Sequence, residues 1–112
     1  MDRLPRVTPA TLDVLEALVW ARDDLHGFAI ARAVKRPTGS VYPILSRLEH
    51  AGLLESRWEF EHPEPGRPRR RFYHLSPDGL SIARELLEER RGKSHKLRRS
   101  FPTWVQPLKE PR

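Results

Sequence analysis

The hydrophobic pattern of this chain changes its period twice, and that double change constrains the fold more than any other feature. From Leu12 to Leu48 apolar residues recur every three or four positions, as on helices that bury one face. From Leu54 to Glu61 the chain alternates strictly: Leu54, Ser56, Trp58 and Phe60 fall on one side, Glu55, Arg57, Glu59 and Glu61 on the other. That is the pattern of a half-buried strand, with Trp58 expected in the core. After Ser76 the helical spacing returns. With 112 residues the chain has room for one core and a short appendage.

Punctuation residues set the boundaries. Thr8 and Pro9 read as a cap and first helical residue of a helix running to about Arg22, because proline's missing N–H falls where no intrahelical bond is made. On it Leu12, Val14, Leu15, Leu18 and Val19 form a stripe, and Trp20 falls on the polar side. Asp23 to Leu25 read as a connector, and Gly27–Val34 as a short second helix with Phe28, Ile30, Ala31 and Val34 available for burial. After the break at 35–39, a third helix from about Ser40 to Ala51 buries Val41, Ile44, Leu45 and Leu48 and is closed by Gly52 in a left-handed conformation. His62 to Gly66 are turn residues, and Arg69–Leu75 returns as the second strand of a hairpin. Ser76 caps a fourth helix, with Pro77 and Asp78 in its first turn, which is expected to continue to about Ser100.

Three helices, a hairpin and a final helix define a mostly α fold with a small β-hairpin, a helix-turn-helix followed by a wing. The expected organisation is a winged-helix unit over 1–75, a dimerisation helix over 76–101, and a flexible basic, proline-containing tail over 102–112. Charge is distributed to match: Met1–Arg91 carry 15 basic and 14 acidic residues, and Gly92–Arg112 carry six basic and one acidic. The net charge of +6 points to a polyanionic partner. A third helix with a polar front has the width of the major groove, and an arginine-bearing hairpin beside it can hold phosphates. The residues expected at double-stranded DNA are therefore Thr38, Ser40, Tyr42, Pro43, Ser46 and Arg47 of the third helix, with Arg67, Arg69, Arg70 and Arg71 of the wing. A fourth-helix stripe wider than one contact needs, together with Trp20, predicts a homodimer through Leu12, Trp20, Leu80, Ala83, Leu86 and Leu87.

Three ordered motifs carry a family resemblance. Leu25-His26-Gly27-Phe28, the run Gly39-Ser40-Val41-Tyr42-Pro43-Ile44-Leu45-Ser46-Arg47-Leu48-Glu49 continuing through Gly52-Leu53-Leu54, and Gly66-Arg67-Pro68-Arg69-Arg70-Arg71-Phe72-Tyr73-His74-Leu75-Ser76 make the chain resemble the PadR family of winged-helix transcriptional regulators over about Leu12 to Glu88. The leading expectation is a repressor on a pseudo-palindromic operator, as the two-fold symmetry of a dimer requires. The resemblance implies that Tyr42 and its neighbours approach DNA, that the wing arginines hold the backbone, and that the fourth helix builds the dimer with help from the first. Pro37-Thr38 stands where relatives start the third helix with serine and proline, and the C-terminal region is short and proline-rich.

Other function classes find little support. No cysteine is present, which removes disulfides and thiolate metal sites and fits a reducing cytoplasm. No apolar run reaches the roughly 18 residues of a membrane span, and Met1–Arg6 lacks the apolar stretch of a signal peptide. The histidines His26, His50, His62, His74 and His95 never stand three or four apart, so no metal site is expected, and His26 reads as a structural hydrogen-bonding residue at a helix start. No nucleophile elbow or phosphate loop marks an enzyme or a cofactor site. Two alternatives stay open: a protein-interaction module on the same fold, and a sensor of small aromatic effectors of unknown identity.

Overall fold

A computed structural model describes residues 6–60, 66 and 68–92. Its elements are α1 (Pro9–Trp20), β1 (Leu25–His26), α2 (Gly27–Val34), α3 (Thr38–His50), β2 (Leu54–Trp58), β3 (Arg71–Leu75) and α4 (Pro77–Arg91). The strands form one antiparallel sheet in the order β1-β3-β2, so the fold is mostly helical with a small sheet. Arg67, the wing tip at 61–65, the expected helical extension to Ser100 and the tail at 102–112 lie outside the described residues.

Local chemistry explains the helix starts. The Thr8 hydroxyl accepts the Thr11 N–H at 3.2 Å, with Pro9 in the first turn of α1. At α2 the cap is His26, whose Nδ1 accepts the Ala29 N–H at 3.2 Å, the hydrogen-bonding role expected for it. Ser76 caps α4 by accepting from Gly79 N–H at 2.9 Å and donates its own hydroxyl to the Gly52 carbonyl at 2.8 Å. One short side chain thus starts a helix and fastens it to the end of α3. Gly52 turns the chain at φ +86°, as its position after the third helix requires.

Four boundaries differ from the sequence expectation. The first helix stops at Trp20, two residues short of Arg22. The third begins at Thr38, because Pro37 caps it from outside with its fixed φ of −65° while its carbonyl accepts from Ser40 and Val41. β2 ends at Trp58 and β3 starts at Arg71, although a Glu59 N–H to Arg70 carbonyl bond of 2.7 Å extends the pairing by one step. The expected connector contains β1, in which Leu25 pairs with Tyr73 and His26 with Phe72. Two residues are too few to leave an alternation signal.

The core lies between the helices and one face of the sheet. Val14, Leu15, Ile30, Val41, Leu45 and Leu48 are essentially fully buried, and Leu54 and Tyr73 close the cluster from the sheet. Phe28 and Trp58, both expected to contribute, are 58% and 56% exposed. Phe28 faces away because Ile30 and Ala31 already fill the inner side of α2. Along β2 only Leu54 rests on the helices, Ser56 is half-buried, and the strand then rises out of the core.

α4 is part of this core. Ala83 is buried in the main cluster, and Leu87 packs with Leu12 in a second one bordered by Trp20 and Leu86. Leu12, Ala83 and Leu87 are therefore covered within the chain itself, where the sequence reading assigned them to a partner; the stripe is wide because α4 must cover α1 and the sheet end. Trp20, Leu80 and Leu86 are only partly buried. The end of α4 is held by charge: Arg91 donates to buried Glu16 at 2.7 Å and to Asp13 at 2.8 Å, and Asp13 also pairs with Arg36 at 2.9 Å. This network joins α4, α1 and the turn leading into α3.

Candidate nucleic-acid interface

α3 divides by face. Val41, Ile44, Leu45 and Leu48 are buried, while Ser40, Tyr42, Pro43, Ser46, Arg47 and His50 are exposed and Thr38 is half-buried. The polar front is therefore presented by a rigid apolar back. Pro43 lies inside the helix and has no N–H for the Gly39 carbonyl four residues earlier, so an acceptor is left near the exposed start of α3.

Tyr42 is placed by a residue on another element. Its ring lies directly over Gly27, at the first turn of α2, so closely that a Cβ there would run into the ring. The glycine of the second-helix motif and the tyrosine of the third-helix motif are thus two halves of one contact. The ring remains 43% exposed, at the front edge of α3. Tyr73 lies nearby in the sheet; burial raises the pKa of its hydroxyl, Arg71 lowers it, and Glu49 and Tyr42 raise it.

The wing joins α3 through a polar cluster. Ser56 donates to Glu49 of α3 at 2.6 Å, and Arg71 donates to Ser56 at 2.9 Å while pairing with Glu49 at 3.3 Å. Register explains this, because Trp58 pairs with Arg71 and Ser56 with Tyr73, so these side chains share the sheet face that meets α3. Arg71 is consequently half-buried and engaged within the protein, not a member of an open arginine tip as the sequence reading had it. Arg69 and Arg70 are exposed, and the Arg70 N–H is held by Glu59 at 3.0 Å. On the opposite face Arg57 lies over the Phe72 ring at 4.8 Å and bonds Asp24 at 3.2 Å, and His74 stands 2.8 Å from Glu55.

Two exposed features were not expected. Trp58 and Phe60 open to solvent along the wing, and only the register and the rise of β2 distinguish them from core alternation. On the outer side of α2, Phe28 lines a shallow groove of about 430 Å³ with Arg32, Lys35 and the residues leading into α3. The spacing of Phe28 and Arg32, four apart on one helix face, was the available signal. Among the described residues no three acidic, histidine or cysteine side chains stand together as metal ligands, and no helix is long and apolar enough to cross a membrane.

Comparison with known proteins relates this arrangement to one group. The family model described as Transcriptional regulator PadR-like family matches residues 14–85. Among solved structures, Bacillus subtilis PadR in complex with operator DNA superposes with a TM-score of 0.61 at 18% identity, over 73% of this chain and 48% of that one. The chain thus spans about half the length of that protein. A PadR family transcription regulator from hypervirulent Clostridium difficile R20291 superposes at 0.58 with 24% identity, over 79% of this chain and 95% of that one. One from Eggerthella lenta DSM 2243 superposes at 0.56 with 26% identity, over 77% and 74% of the two chains. At such identities the first two show a shared fold and nothing finer. A search of curated proteins finds no match.

Proposed function

The chain belongs to the PadR-like family of transcriptional regulators, which are DNA-binding proteins and not enzymes, and from that premise we propose that it is a repressor that binds a pseudo-palindromic operator as a homodimer. The observation that carries this reading is the outward polar front of α3, with Tyr42, Ser46 and Arg47 exposed over a fully buried back, beside a hairpin bearing exposed Arg69 and Arg70. Such a helix enters the major groove, and Thr38, Ser40 and Pro43 lie on the part of α3 that would enter first. Arg69 and Arg70, with Arg67 two positions earlier in the sequence, hold the backbone alongside. The operator complex of the Bacillus subtilis protein supports the same use of the fold here.

The dimer reading rests on the half-buried residues Trp20 and Leu86, which border the contact between α1 and α4, and on half-buried Leu80 of the same α4, which together offer apolar surface to a second copy. A two-fold dimer puts two α3 helices on successive major grooves of one duplex face, about one helical turn apart. The test is a site selected from random duplexes, followed by titration against salt. If each subunit neutralises about four phosphates, the slope of log affinity on log salt is about −7. A flat salt response contradicts the proposal, as does a sedimentation profile that stays monomeric on the selected site.

A further inference from the structure

We propose that Trp58 is a DNA-contacting residue, its indole packing against the sugar edge of the duplex next to the phosphates held by the wing arginines. The inference rests on the DNA-binding reading above and adds to it an apolar, uncharged contact within a basic surface.

Trp58 is 56% exposed although it ends a strand whose first residue, Leu54, is only 3% exposed. Indole is the largest apolar side chain, and a free protein gains little by holding one in water at a strand end. The ring is nevertheless held in place. The Arg71 guanidinium lies 5.1 Å from its centroid, and the same guanidinium is fixed by Ser56 and Glu49, themselves 2.6 Å apart. Glu49 belongs to α3, one row along the helix from exposed Ser46, so the ring stands on the sheet face next to the polar front of α3. Arg71 acts here as a positioning residue: it orients the indole and satisfies Glu49 without itself being offered to a ligand.

The surroundings select the occupant. Arg69 and Arg70 directly precede Arg71 in the chain and are exposed, so the indole is paired with the strand into which these cationic residues lead. A flat apolar ring with one guanidinium against it, next to a strand entered by exposed arginines, matches the minor-groove margin of a duplex, where the C–H faces of deoxyribose run between rows of phosphate. It is also continuous with the α3 front, so a duplex seated on α3 reaches it without a second binding mode.

The test uses the full chain and a fluorescein-labelled random-sequence duplex of about 30 base pairs, long enough for two half-sites, with anisotropy read over a series of salt concentrations. Trp58→Ala is expected to weaken binding about tenfold at every salt concentration with the salt slope unchanged, because no ion pair is lost. Trp58→Phe is expected to recover binding to within about threefold, and the thermal melting of both variants to match the wild type, because the ring is largely exposed. Wild-type protein that binds while Trp58→Ala binds equally well overturns this inference alone, and is the outcome if the ring serves a protein partner. A loss accompanied by a shallower slope assigns the effect to displaced arginines and also overturns it. Wild-type protein that binds no duplex overturns the DNA-binding reading and this inference together.

Discussion

Gly27 and Tyr42 show how a short motif acts at the scale of single residues. The tyrosine ring rests on the bare Cα of the glycine, so its direction across the front of α3 is set by an atom that is missing from α2. Gly27→Ala is expected to push the ring aside. Because Tyr42 is partly exposed and can swing, stability should fall by only about 1 kcal/mol, while operator affinity falls about tenfold. On a Tyr42→Ala background the same substitution should have almost no further effect on affinity, a non-additivity that a double-mutant cycle measures directly. Both residues were legible as motif members in the sequence, but their contact was not, because it depends on the angle between α2 and α3. Trp58 was misplaced for a related reason: alternation reports which side of a strand a residue is on, not how far the core extends along it.

At the scale of elements, the wing arginines separate into two kinds. Arg69 and Arg70 are exposed just before β3, whereas Arg71 is locked between Ser56, Glu49 and the Trp58 ring. Arg70→Ala, present in both subunits of the dimer, should leave the denaturation midpoint unchanged and make the salt slope shallower by about two units. Arg71→Ala should instead lower stability by about 1–2 kcal/mol, since it strips a half-buried carboxylate of its charged partner and leaves it only the Ser56 hydroxyl. Four arginines in five positions looked alike in sequence. The strand register, which places Arg71 opposite Trp58, divides them, and it follows from where the hairpin closes. Helices with clear punctuation at their ends were readable nearly to the residue, as α2 and the start of α4 attest. β1 was not, because two residues paired at a sheet edge owe their conformation to β3 and not to their own pattern.

For the whole molecule, the question is how the fourth helix is tied to the DNA-facing unit. Buried Glu16 and half-buried Asp13 on α1 receive Arg91 from α4, and Asp13 also receives Arg36 from the turn before α3. The end of the proposed dimer helix is therefore two ion pairs from the start of the proposed recognition helix. Arg91→Met should lower stability by about 2–3 kcal/mol, less than for a fully buried pair because the arginine is 26% exposed, and urea denaturation would measure it. A Glu16→Gln, Arg91→Met double variant should regain part of that loss. The wide apolar stripe of α4 was plain in the sequence, but its division between the chain's own core and a partner depends on packing that only the folded molecule displays.

The central claim is that the polar front of α3 and the wing meet one duplex together. Hydroxyl-radical footprinting of the full chain on a duplex selected from a random pool tests it most directly. The account predicts protection in two half-sites about one helical turn apart, and loss of sequence preference with Tyr42→Ala or Arg47→Ala. Protection that is continuous and indifferent to sequence, or that survives both substitutions unchanged, would contradict it.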